Sequence, residues 1–150
     1  MTVQPTIEGF LAAARQALAG ASPQQAMRAL LDATVETLYA RTGRWIEHDS
    51  DEMLLASSPD LTIYHIALSP RIHYPPHDHR VPAMIALYQG AETSFSAIHS
   101  VVNLGDARSA AIHVYFGDLT AVERSVWDAD LREERRFDNG FYFEQAREYS

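Results

Sequence analysis

The chain has 150 residues, 47% of them hydrophobic and none of them cysteine. That suits one domain with a real core and excludes disulfides, a thiolate nucleophile and any cysteine-based zinc site. The net charge of −8 argues against a nucleic-acid partner, which would require a basic footprint. All twelve basic residues are arginine, so lysine Schiff-base chemistry is excluded too.

Residues 1–43 read as a helical segment. Ile7, Phe10, Leu11, Ala14 and Leu18 fall at helical spacing, with Gly20 as the stop. Ser22-Pro23 offers a capping hydroxyl followed by proline at the first helical position. Met27, Leu30, Leu31, Thr34, Val35 and Leu38 then form one stripe, ending near residues 41–43. The pair is expected to pack on a sheet or on a partner. No apolar run approaches membrane-spanning length, and the N-terminus lacks the pattern of a secretory signal. A cytoplasmic location is therefore the default expectation.

From residue 44 to 150 the pattern changes to short runs. Met53–Ser57, Leu61–Leu68, Ala83–Tyr88, Glu92–Ile98, Ala110–Phe116 and Leu119–Trp127 read as strands, punctuated by Ser-Pro-Asp, Ser-Pro-Arg, Tyr-Pro-Pro, Gln-Gly and Phe-Gly-Asp. Strands at this spacing suggest an all-β sandwich or barrel. Ile112, Val114 and Phe116 share one strand face and Ala111, His113 and Tyr115 the other, so this strand is buried on both faces or lines a cavity on one. Nothing marks a second domain.

Three histidines carry the chemistry. In an extended strand His77 and His79 point the same way and Asp78 the other. If Gln89-Gly90 turns the chain, the following strand returns antiparallel and brings His99 beside the pair. Three neutral imidazoles on rigid strands make a facial metal site with open positions for substrate. No carboxylate follows His79 at short spacing, and Glu92 reads as a hairpin residue. Such a site keeps a divalent metal's full charge and favours an anionic donor such as a thiolate or enolate. His113 and Tyr115, two residues apart on one face, either satisfy each other in the core or orient a ligand. His48, His65 and His73 read as structural, with His73 close enough to His77 to rim a pocket.

The run His77-Asp78-His79 through Leu87-Tyr88-Gln89-Gly90-Ala91-Glu92 resembles the first cupin motif of the thiol dioxygenases, the cysteine dioxygenase and 3-mercaptopropionate dioxygenase group. His99-Ser100-Val101-Val102-Asn103 is similar to that group's second motif. Ala111-Ile112-His113-Val114-Tyr115 looks like its later Ser-x-His-x-Tyr strand. Gly117-Asp118-Leu119 and Arg124-Ser125-Val126-Trp127-Asp128 also look like bacterial members. The resemblance runs from about Met53 to Asp128; the ordered set is fairly specific, though no single piece is. It implies a mostly β fold, a cupin (double-stranded β-helix, jelly-roll-like) barrel with an N-terminal pair of α-helices. It also implies Fe(II) held by His77, His79 and His99, with O2 as co-substrate and His113 and Tyr115 acting beside the metal rather than as ligands. Nickel, zinc or copper are the other metals such a site takes.

Three departures from the family pattern bear on substrate. Ala111 stands where the family often has serine. Met84 stands where the animal enzymes have a cysteine crosslinked to tyrosine. Asp51-Glu52 falls where cysteine dioxygenase has the arginine that clamps substrate carboxylate. An acid repels a carboxylate, and more strongly inside a pocket. An amine-bearing or neutral substrate therefore fits better, unless Arg44, Arg71 or Arg80 supplies the clamp. Glu52, Arg71 and Met84 are the candidate substrate-pocket residues. The leading expectation is an Fe(II)-dependent dioxygenase that converts a small thiol to a sulfinate, as a monomer or homodimer with no nucleic-acid or membrane partner. The alternatives are a metal-binding cupin acting on a non-thiol small molecule (another dioxygenase or an isomerase), a ligand sensor, or an interaction protein whose histidines are incidental.

Overall fold

The computed structural model describes residues 5–40, 43–90 and 98–148. Helix α1 spans Ile7–Ala19 and α2 spans Pro23–Tyr39. Thr6 caps α1 by accepting from the Gly9 N–H at 3.0 Å, which satisfies one of the orphan donors of the first turn. Gly20 ends the helix as its spacing predicts. Ser22 precedes α2, but its hydroxyl makes no capping bond. Proline at the first position does the work instead, because it has no N–H to satisfy and its φ is already helical.

The rest is mostly β, in antiparallel sheets. The strands are β1 (Glu52–Ser58), β2 (Leu61–Ile66), β3 (Ile72–His73), β4 (His77–Asp78), β5 (Ala83–Gln89), β6 (Ile98–His99), β7 (Ala110–Tyr115), β8 (Ser125–Trp127), β9 (Glu134–Arg136) and β10 (Arg147–Glu148). A short helix, α3 (Asn139–Glu144), precedes β10. One four-stranded sheet runs β1-β2-β7-β5, a second runs β6-β4-β8-β9, and β3 pairs with β10. Four of the six predicted strands recur within two residues at either end. The predicted strand Glu92–Ile98 lies outside the described residues except for Ile98. The predicted strand Leu119–Trp127 is strand only from Ser125. Asp118 explains the difference: its carboxylate accepts from the Thr120 N–H at 3.0 Å and the Thr120 hydroxyl at 2.6 Å, and its carbonyl accepts from the Ala121 and Val122 N–H groups. A local turn thus outcompetes the ladder.

The first sheet separates two environments. Leu61 and Ile63 of β2 and Ile112 and Val114 of β7 pack against Phe10 and Ala14 of α1 and Met27, Leu31 and Leu38 of α2. Their alternates, Tyr64 and Ile66 on β2 and His113 and Tyr115 on β7, face a cavity on the other side. The register pairs Ile63 with Val114 and Tyr64 with His113, so one strand alternation sorts the apolar side from the polar one. A second apolar cluster, Ile66, Leu68, Tyr74, Val101, Val126 and Tyr142, closes around that cavity.

Candidate metal centre

Pro75 and Pro76 lead the chain into β4, where prolines fix the approach and remove two backbone donors. His77 pairs antiparallel with His99 of β6 and with Val126 of β8. The return strand of the expected hairpin lies outside the described residues apart from Ile98. Gly90 takes φ +80° after β5, as a turn there requires, but β6 pairs with β4 while β5 pairs with β7. His99 therefore reaches the pair across a direct β4–β6 ladder. Ring centroids lie 5.0 Å apart for His77–His79, 4.7 Å for His77–His99 and 4.6 Å for His79–His99. One ligand nitrogen from each ring lies within 4.8 Å of the others. The three imidazoles can hold a metal ion, and no Asp, Glu or Cys joins the set among the described residues.

The rings are prepared for that role. The His77 Nδ1–H donates to the Pro75 carbonyl at 3.0 Å, which fixes the tautomer and leaves Nε2 bare to ligate. Burial pulls His77 down to about 3 and His79 down to about 2, with His99 adding to both shifts. Both are therefore neutral at pH 7, the form a metal needs. Asp78 points away, as alternation predicts, and ties β4 down. It accepts from the Ser125 N–H at 2.7 Å and from Arg80 Nε at 2.9 Å. Against the cost of burial, these bonds hold its carboxyl below the usual range.

The three histidines open onto a cavity also lined by Glu52, Tyr64, Tyr74, His113, Tyr115, Arg124 and Tyr142. Its space for water centres is about 50 Å³, against roughly 10–15 Å³ for one buried water, so it admits a small ligand. The His113 Nδ1 and the Tyr115 hydroxyl share a hydrogen bond of 3.1 Å. The Tyr115 ring sits 4.7 Å from that of His79, centroid to centroid. Sequence left open whether His113 and Tyr115 satisfy each other or orient a ligand; they are bonded together and they face the cavity. Ala111, fully buried beside them, offers no hydroxyl to extend the chain.

The two acids divide. Asp51 lines the cavity but its oxygens are in use, accepting from the Tyr74 hydroxyl at 2.6 Å, the Ser69 hydroxyl at 2.6 Å and N–H at 3.2 Å, and Arg108 at 3.2 Å. Glu52 lines it with a carboxylate that receives no hydrogen bond among the described residues. Burial pushes that carboxyl up, partly offset by Arg124 and His113.

Arg71 and Met84 do not line the cavity. Arg71 is paired with Asp106 at 2.7 Å near the surface, and Met84 packs on the helical side of the first sheet, because alternation along β5 turns it that way. Arg44 pairs with Glu47, and Arg80 with Asp78, so none of the three arginines named as clamps stands in the cavity. Arg124 does. Its guanidinium carbon sits 3.3 Å from the Phe137 ring centroid, and among the described residues the guanidinium hydrogen-bonds only to the Asp78 carbonyl, at 3.4 Å. Reading residues 119–127 as one strand hid it. The signal was its place two residues before Val126, the partner of His77. Tyr142 was also unassigned. Asp138 caps α3, and the helix stacks Tyr142 on Tyr74 and sets it edge-on to His77.

His48, His65 and His73 stay outside the cavity lining. His65 lies on the helical side and belongs to a hydrogen-bonded chain whose direction follows from its ends. The His48 Nδ1–H must donate to the Ser50 carbonyl, at 2.6 Å. His48 Nε2 then accepts from the His65 Nδ1–H at 2.7 Å, and His65 Nε2 accepts from the Tyr88 hydroxyl at 2.6 Å. The Tyr88 oxygen in turn accepts from the Trp45 N–H at 3.1 Å. The His65 imidazole is neutral in this arrangement: burial, then the neighbouring His48, pulls it to about 3.

No family model matches the chain, and no curated protein matches it. No helix among the described residues is long and apolar enough to cross a membrane.

Proposed function

We propose that the protein is a metal-dependent oxidoreductase of the cupin thiol-dioxygenase type, in which the two four-stranded sheets are the walls of a cupin barrel. The observation that carries this reading is the convergence of three histidines on the same small cavity as a hydrogen-bonded His113–Tyr115 pair and a half-buried arginine. The donor set fits iron: all-imidazole ligation suits Fe, Zn, Ni or Cu, and three ligands leave positions for substrate. Bound there, Fe(II) would supply the electrons that activate O2 next to a coordinated thiolate.

The chain's own residues do the rest. Arg124, held flat on Phe137, offers a cation to a substrate anion. Tyr115 presents its hydroxyl to the cavity with His113 fixing its direction, so a proton can be held or donated at that oxygen. Tyr74 and Tyr142 wall the site and exclude water, which strengthens every charge interaction inside.

Anaerobic reconstitution with Fe(II), followed by oxygen-uptake assays with cysteine, cysteamine and 3-mercaptopropionate, tests this. The expected result is thiol-dependent uptake with a sulfinate product. Uptake with none of these thiols removes the thiol assignment. The second reading, a metal-binding cupin for a non-thiol ligand, draws on Ala111, which cuts the polar chain at His113. It would show as stoichiometric zinc, nickel or copper in protein that iron does not activate.

A further inference from the structure

Glu52 is a half-buried acid for which the metal site has no use. It opens β1, lines the cavity and is turned towards the same space as Arg124 and His113. Both lie close enough to favour its charged form, yet no ion pair joins Glu52 to Arg124 among the described residues. Asp51 next to it is occupied by Tyr74, Ser69 and Arg108. The cavity thus holds a carboxylate and a guanidinium that share one small volume without cancelling. A buried carboxylate without a donor is costly, and a ligand that brings a positive donor relieves that cost.

We propose that Glu52 determines substrate specificity by accepting a charge-assisted hydrogen bond from an ammonium group of the substrate. The substrate class is a small amine-bearing molecule, and mercaptocarboxylates without an amine are selected against. The thiol part of that substrate rests on the function proposed above; the amine part rests on Glu52 alone. A mercaptocarboxylate would leave Glu52 unpaired and add a like charge to the same cavity. An amine at the same position supplies the missing donor.

Cysteine and 3-mercaptopropionate differ by that amine, so their ratio isolates it. Anaerobic calorimetry on the metal-loaded protein measures binding without turnover. The expected result is cysteine binding roughly 10- to 100-fold tighter than 3-mercaptopropionate, the size of a hydrogen bond to a charged group. Glu52→Gln should bring the ratio towards one, mainly by weakening cysteine, and Glu52→Asp should keep part of it. A Glu52→Gln protein that retains the full ratio, or a native protein that prefers 3-mercaptopropionate or binds no amine, overturns the proposal. If Glu52→Gln does not fold, Glu52→Asp and the native ratio decide alone: an undiminished ratio in Glu52→Asp, or a native ratio near one, overturns it. Serine and 3-hydroxypropionate in the same titration separate the two readings. An amine preference among these hydroxyl ligands, without thiol-dependent oxygen uptake, keeps Glu52's role and removes thiol oxidation. Thiol oxidation with no amine preference does the reverse.

Discussion

Replacing Tyr88 with phenylalanine tests the separation of the two faces of the first sheet. The ring stays and its packing with it, since Tyr88 is 3% exposed in the helical-side core. Only the hydroxyl goes. It accepts from the Trp45 N–H and donates to His65 Nε2, and His65 is fully buried, so the variant strands one donor and one acceptor away from water. Each stranded group costs about 1–3 kcal/mol, giving roughly 2–6 kcal/mol in all. For a domain of this size that is a fall in Tm of about 4–24 °C. Urea unfolding of the metal-free protein, followed by the fluorescence of its two tryptophans, measures it. Metal stoichiometry should not change, because Tyr88 and the three histidine ligands lie on opposite sides of the sheet. A loss below about 1 kcal/mol would refute the two hydrogen bonds assigned to the Tyr88 hydroxyl, and a loss of metal would refute the separation.

Acid should destabilise the metal-free protein before its carboxylates titrate. His65 and His77 take protons near 6.5 when unfolded but only near 3 when folded, so the unfolded state binds more protons between those values. Stability is then full above about 6.5 and falls as pH drops towards 3; a urea midpoint that is flat from pH 7 to pH 4 contradicts this. His79→Ala should abolish the rise in Tm produced by added metal, a linkage readout that needs no turnover, and an undiminished rise would exclude His79 as a ligand. Tyr115→Phe should keep metal content while lowering activity about 10- to 100-fold; unchanged kcat and KM would reduce the His113–Tyr115 bond to a packing role. Asp51→Asn should cost about 2–4 kcal/mol in unfolding experiments, because the amide keeps one acceptor but sets an N–H against hydroxyl donors from Tyr74 or Ser69.

Much of this was legible in the sequence because it depends on period. Two-residue alternation put His77 and His79 on one side and Asp78 on the other, and sorted Ile112 and Val114 from His113 and Tyr115. Three- and four-residue spacing marked the buried stripes of α1 and α2. What was not legible depends on which strands pair. Nothing local says that β6 joins β4, the ladder that sets His99 beside the pair. The same blindness hid Arg124, whose position follows from the pairing of His77 with Val126. It also put Met84 in the pocket, although its side chain lies on the helical side of β5. Short polar turns were missed for a different reason: Asp118 gains more from local N–H groups than a ladder would offer.

The neighbours Asp51 and Glu52 show why a residue's place in the sequence does not settle its role. Both are acids and both line the cavity. Their difference is in what surrounds their oxygens. Asp51 is enclosed by the Ser69 hydroxyl and N–H, the Tyr74 hydroxyl and Arg108, so its charge is spent on holding β1 to the segment after β2 and to the wall that carries Tyr74. Glu52, the first residue of the strand, meets no such donors. A charge already satisfied by four donors has little left for a ligand, whereas an unsatisfied one in a low-dielectric cavity interacts strongly with whatever enters. The two substitutions should therefore separate: Asp51→Asn should lower stability with little change in ligand preference, and Glu52→Gln should change ligand preference with little loss of stability.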